Sequence, residues 1–135
     1  MITYRDDVVP DIATARALYA DCSLGARRPI DDDARFGAML THANLTVTAW
    51  DGTALVGIAR SLTDFGFTTY LADLAVRDAY QHHGIGRELI RHTQRAAPQA
   101  KIVLLAAPAA VNYYPRIGFR HHPQAWMLDP TDVLR

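Results

Sequence analysis

The chain has 135 residues, half of them hydrophobic, which suffices for one core and one domain spanning 1–135. Fourteen basic residues balance fourteen acidic ones, which disfavours nucleic-acid binding, and the single cysteine, Cys22, excludes an internal disulfide and suits a reducing cytoplasm. No apolar run reaches the ~18–20 residues that span a bilayer, and the first residues lack the regions of a signal peptide, so a cytoplasmic protein with no membrane association is expected.

In chain order, residues 3–5 suit a short first strand. Residues 11–19 suit a helix presenting Ile12, Ala15, Leu18 and Tyr19 on one face. The triple aspartate Asp31-Asp32-Asp33 reads as the start of a second helix carrying Phe36, Met39 and Leu40, since its spacing fits no metal loop. Residues 45–50 and 54–62 are expected to pair as an antiparallel hairpin across Asp51-Gly52, and residues 67–76 form the next strand. A helix over 84–95 should bury Ile85, Leu89, Ile90 and Thr93, with Ala97-Pro98 ending it. The apolar run at 102–106 suits a buried parallel strand, a short helix carries Tyr113 and Tyr114, and residues 119–128 should form one or two strands. Hairpins that lead into one strand–helix–strand crossover, expected to be right-handed, make an α/β sandwich.

The most informative stretch joins the third long strand to the third helix. Gln81-His82-His83-Gly84-Ile85-Gly86-Arg87 is a glycine-bearing loop that opens a helix, where backbone N–H groups and the helix dipole can hold an anion. Gly84 and Gly86 allow close backbone approach. No Gly-Lys-Ser/Thr follows, so this is not a nucleotide-phosphate P-loop, and Leu89 stands where a dinucleotide fingerprint needs its third glycine. On the loop alone, a plain strand-to-helix turn also fits.

A second motif follows one helix and one strand later, with Pro108 at a plausible first helical position and Ala110, Tyr113, Tyr114, Gly118 and Phe119 at fixed spacing. Together the two resemble the signatures Gln/Arg-x-x-Gly-x-Gly/Ala and Ala-x-x-Phe/Tyr-Tyr-x-x-x-Gly-Phe of the GCN5-related N-acetyltransferases (GNAT). The likeness is specific from about residue 71 to residue 119 and its order of elements covers nearly the whole chain. It implies the α/β GNAT fold: a mixed, mainly antiparallel central sheet flanked by helices and splayed at the cofactor cleft.

The resemblance also implies a division of labour. Backbone groups of Leu74, Ala75 and Val76 would pair with the pantetheine arm of acetyl-CoA, and N–H groups from Gln81, His82, His83, Gly84, Ile85, Gly86 and Arg87 would hold its pyrophosphate. Tyr114 matches the tyrosine that protonates the departing thiolate, and a phenol with a pKa near ~10 stays protonated at neutral pH. Packing against the acyl pocket is its other reading, while Tyr113 suits the core. The activity implied is direct acetyl transfer to a primary amine of an unnamed acceptor. A non-catalytic acyl-CoA-binding or interaction module on the same fold is the alternative.

Two departures from the family bear on the chemistry. Many relatives carry an acid or histidine where this chain has Ala72, and asparagine where it has Ala107. Strand alternation places Tyr70, Ala72 and Leu74 on one face and Leu71, Asp73 and Ala75 on the other, so Asp73 is a candidate base that points away from Ala72, and a water relay competes with it. Arg27 and Arg28, within a variable acceptor-choosing region, read as acceptor ligands or solvated loop charges. The adjacent pairs His82-His83 and His121-His122 make no bidentate metal site, and no metal is expected. His42, His121 and His122 are candidates for the acceptor site. Trp50 and Trp126 suit a core or a subunit interface, which leaves a homodimer open.

Overall fold

Aspartates start both N-terminal helices. Asp11 accepts from the Thr14 N–H at 2.8 Å and begins α1 (Ile12–Ala20), while Asp32 accepts from the Arg35 N–H at 3.1 Å and begins α2 (Asp33–His42). The computed structural model describes residues 1–135 as two compact units, Met1–Leu105 and Ala106–Arg135. No helix is long and apolar enough to cross a membrane.

The first unit is built on a five-stranded sheet whose spatial order follows the chain: β1 (Ile2–Arg5), β2 (Leu45–Asp51), β3 (Ala54–Thr63), β4 (Thr68–Val76) and β5 (Lys101–Val103). The first four strands are antiparallel and β5 runs parallel to β4, reached through α3 (Ile85–Ala96). Tyr19, Leu18 and Ala15 of α1 pack with Phe36 and Leu40 of α2 over Leu55, Ile58 and Ala75 of the sheet. Tyr19 and Phe36 meet edge to face with centroids 5.1 Å apart. Burying each such ring stabilises by about 1.5–3 kcal/mol. On the opposite face α3 lies so close that a Cβ at Gly57 would stand 3.0 Å from Leu89 Cδ1 and 3.3 Å from Ile85 Cγ2. Glycine is what lets helix and sheet approach there.

The sheet has two register slips. Val56 is skipped between the pairs Ala49↔Gly57 and Trp50↔Leu55, and Ala72 between Arg60↔Asp73 and Ser61↔Leu71. Such bulges bend and twist a strand. The second one corrects the expected facing of β4. Paired residues share a face, and β3 alternates regularly from Arg60 to Thr63, so Tyr70 (opposite Leu62) lies on the face of Asp73 and Leu71 (opposite Ser61) on the other. Side-chain contacts agree: Thr69 Oγ1 donates to Thr63 Oγ1 at 2.8 Å, in the buried row beside Leu71.

Two further expectations are corrected. The strand foreseen at 102–106 is β5, only Lys101–Val103, because its pairing with β4 stops at Tyr70↔Val103, just before the bulge. Residues 119–128, foreseen as one or two strands, form none. Pro123 lacks a ladder donor, and the Gln124 N–H donates locally to His122 Nδ1 at 3.1 Å. In this second unit Trp126 is 94 % exposed, away from any core. A 3-10 turn begins at Pro108 as expected, and the helical turn α4 (Tyr113–Arg116) contains Pro115, whose missing N–H has no role in so short a turn.

Candidate active site

Beyond Tyr70, β4 has β3 on one side and no strand on the other. Residues 71–76 thus present an open sheet edge, and Leu74, Ala75 and Val76 lie on it opposite Ala59, Ile58 and Gly57. An extended chain can dock there through main-chain hydrogen bonds.

The loop after β4 is tied down on several sides. The Arg77 N–H donates to the Val56 carbonyl at 2.9 Å and its Nε to the Leu55 carbonyl at 2.7 Å. Tyr80 Oη donates to Asp51 Oδ2 at 2.6 Å, a bond that raises the phenol pKa. The Gln81 amide donates to the Val76 carbonyl at 3.0 Å and to Asp78 Oδ1 at 3.1 Å. Gln81's own N–H donates to the Asp78 carbonyl at 3.3 Å, so the backbone donors left for an anion begin at His82 and not at Gln81.

From His82 onward the backbone turns into a cradle. His82 has φ 65° and Gly84 φ 83°, so left-handed residues flank His83, an alternation that gathers successive N–H groups into an anion-binding nest. Space is open at Gly84, where an added Cβ would meet nothing within 4 Å. The first helical bond runs from the Glu88 N–H to the Gly84 carbonyl at 3.0 Å, which leaves the N–H groups of Ile85, Gly86 and Arg87 unpaired at the positive end of α3. His83 and Arg87 are exposed beside them. This donor set fits a pyrophosphate.

Asp73 occupies a different environment. It is 1 % exposed, on the α1/α2 face of β4. Its Oδ2 accepts from Tyr19 Oη at 2.7 Å and Arg60 Nε at 2.6 Å, and its Oδ1 from Arg28 Nε at 2.6 Å. Burial opposes its ionisation, but the bonds and charge of Arg60, aided by Tyr19 and Arg28, prevail and hold the carboxyl below its usual pKa. Burial, then the charge of Asp73, pushes the Tyr19 phenol far up. Arg60 also donates to the Met39 carbonyl at 3.1 Å, so one polar cluster joins α1, α2, β3 and β4. Arg28 is not a solvated loop charge. Its Nη2 donates to the Ala72 carbonyl at 3.0 Å and its Nη1 to the Arg27 carbonyl at 2.9 Å. Sequence reasoning missed this cluster, although Arg60, directly after the apolar run at 54–59 of a strand, was a signal that an acid faces it.

In the second unit, Tyr114 is half-buried with its ring edge-on to Tyr113 and Phe119, at centroid distances of 5.2 and 5.4 Å. Burial, and then the neighbouring Tyr113, raises its phenol pKa, so it stays protonated at neutral pH. Gly118, at φ 107°, lets the chain turn so that the Phe119 N–H reaches the Tyr114 carbonyl at 3.0 Å. No group of three or more His, Cys, Asp or Glu side chains is placed to hold a metal ion.

An open mixed sheet, parted beside β4 and followed by an anion cradle at a helix start, is the architecture of an acyltransferase class. The model of the "Acetyltransferase (GNAT) family" matches residues 12–119, and the chain belongs to that family. An uncharacterized N-acetyltransferase ycf52-like protein of Prochlorococcus marinus is 29 % identical over 112 residues, covering 78 % of this chain and 57 % of the relative. The uncharacterized N-acetyltransferase ycf52 of Pyropia yezoensis is 33 % identical over 72 residues, 51 % of this chain and 41 % of its own length. The chain thus spans only about half the length of these curated relatives. Among solved structures, a probable acetyltransferase from meticillin-resistant Staphylococcus aureus superposes with a TM-score of 0.78 at 23 % identity, over 96 % of this chain and 98 % of that one. The ribosomal-protein-S18-alanine N-acetyltransferase of Escherichia coli gives 0.69 at 19 % identity, over 90 % of this chain and 79 % of that one. Both share the fold.

Proposed function

We propose that the protein is an acetyl-CoA-dependent N-acetyltransferase that transfers the acetyl group directly to a primary amine. The observation that carries the reading is the cradle of unpaired N–H groups at residues 82–87, set directly after the open edge of β4. Acetyl-CoA, when bound, supplies the acyl group as a thioester. His82, His83, Gly84, Ile85, Gly86 and Arg87 hold its pyrophosphate through backbone N–H groups, and Leu74, Ala75 and Val76 hold its pantetheine arm as a strand partner. Holding the donor at both ends turns the encounter with an amine into a positioned one. Tyr114 Oη, kept protonated by burial, donates its proton to the departing sulfur.

Asp73 is a structural carboxylate in this scheme. Its two oxygens already accept three charged or phenolic donors, and its lowered pKa makes it a poor base. The amine proton leaves through ordered water to solvent, and the Tyr114 phenolate takes a proton back from solvent to complete the cycle. A primary amine is the acceptor class; the ribosomal-protein activity of the Escherichia coli neighbour belongs to that neighbour. Calorimetry with acetyl-CoA, followed by thiol release across a panel of amines, tests the reading. Acceptor-dependent thiol release is expected. Tight binding without turnover for any amine would instead mark a non-catalytic acyl-CoA-binding module, and absence of binding would refute the assignment of the cradle.

A further inference from the structure

Arg28 leaves the 3-10 turn Ser23–Arg27 and reaches the middle of β4, more than forty positions further along the chain. There it meets the one residue of the strand that β3 skips. Ala72 has no partner on β3, and its carbonyl accepts from Arg28 Nη2 at 3.0 Å. The neighbouring Asp73 accepts Arg28 Nε at 2.6 Å while Arg60, directly across the ladder, and Tyr19 hold its other oxygen. A planar fork that binds a backbone carbonyl and the adjacent carboxylate together fixes both the position and the twist of the bulge.

The place matters because β5 stops pairing at Tyr70, two residues before Ala72. A bulge bends and twists its strand, and the edge of β4 left unpaired at residues 71–76 begins beside the bulge that Arg28 grips. We infer that Arg28 is a positioning residue: it locks the β4 bulge at Ala72 and thereby sets the opening beside β4 that receives the pantetheine arm. The inference rests on the acetyl-CoA reading above for its ligand, but not for its geometry. Each of the three guanidinium nitrogens makes one bond within the chain, so the fork is held in place on β4.

Arg28→Met keeps the aliphatic stem and removes the fork, and Asp73 stays paired with Arg60 and Tyr19, so the variant should fold. Arg28→Lys keeps a cation but offers a single point charge in place of the fork. Amide exchange at residues 71–76 of the unliganded protein is expected to quicken by ~10-fold in Arg28→Met, as expected when a charge-assisted bond is lost. Well below the melting temperature, acetyl-CoA affinity should fall by ~10-fold or more, while adenosine 3′,5′-bisphosphate, which reaches only the phosphate cradle, should bind as to wild type. Arg28→Lys should recover only part of either effect. Wild-type exchange at residues 71–76 in Arg28→Met would overturn the inference, and so would equal weakening of both ligands, which is the mark of a general loss of fold. Failure of the wild-type protein itself to bind acetyl-CoA would refute the function proposed above, and the exchange measurement would still decide the role of Arg28.

Discussion

Replacing Asp73 by asparagine separates structure from chemistry. The substitution keeps the shape of the side chain and one acceptor oxygen but removes the negative charge between Arg60 and Arg28. If the amide oxygen takes the Oδ2 position, Tyr19 and Arg60 keep a bond to a now neutral acceptor and the NH2 group confronts the Arg28 donor. Arg28, about a quarter exposed, can swing toward water, whereas Arg60, at 9 %, cannot. Removing one partner of a buried pair costs about 3–5 kcal/mol, and the retained oxygen puts this variant near the lower end, about 3 kcal/mol. For a chain of this size that is a fall of ~10 °C in Tm. Because the Asp73 pKa is lowered on folding, its stabilisation is fully present above the unfolded value of about 3.9 and is lost as pH falls through the folded value below it. The difference in Tm between wild type and Asp73→Asn, followed by circular dichroism, should therefore stay constant from pH 7 to about pH 5 and narrow below about pH 4. A loss under ~3 °C at pH 7, or a difference indifferent to acid, would refute the account of the cluster. The same protein tests the base. At saturating acetyl-CoA it should keep most of the wild-type rate and the alkaline limb of the pH profile. A drop of ~10²-fold with acetyl-CoA affinity intact would assign the amine proton to Asp73.

Gly86→Val places a branched side chain in the first turn of α3, and calorimetry should show acetyl-CoA affinity reduced by at least ~10-fold in a folded protein; unchanged affinity would remove the pyrophosphate from this loop. Tyr114→Phe keeps the ring contacts with Tyr113 and Phe119 but lacks the proton, so kcat should fall by ~10²-fold with acetyl-CoA affinity unchanged, and wild-type turnover would reduce Tyr114 to packing. Asn44 imitates a strand by accepting from the Thr63 N–H at 2.8 Å and donating to its carbonyl at 2.7 Å; chemical denaturation of Asn44→Ala should show a loss of about 1–3 kcal/mol, and no loss would mean that water replaces both bonds.

What could be read from the sequence was written in local chemistry. Asp11 and Asp32 announce their helices because a cap acts within three residues, and the glycine loop announces a cradle because its conformation is set by its own residues. The bulge at Ala72 left no such mark. Nothing in the local sequence at residues 71–73 says that β3 will skip a residue, so alternation assigned Tyr70 and Leu71 to the wrong faces of β4. The role of Arg28 is hidden for the same reason: its partners on β4 lie more than forty positions away and meet it only in the folded chain. The strands expected over 119–128 failed where a strand depends on a partner, which no stretch of sequence can supply alone.

The agreement between sheet order and chain order has a consequence for how the protein is made. Each strand joins the edge left by the one before it, so a chain leaving the ribosome can add strands in sequence without rearranging those already in place. The four-residue polar cluster breaks this orderly growth. Until residue 73 emerges, Arg28 and Arg60 lack their shared counter-ion and α1 and α2 have no anchor on β4. The α1/α2 layer is therefore expected to lock onto the sheet only after residue 73 has emerged. Nascent chains arrested with residue 73 still in the exit tunnel should leave α1 open to protease, and chains some thirty residues longer should protect it; protection of both would show that the helices dock without Asp73.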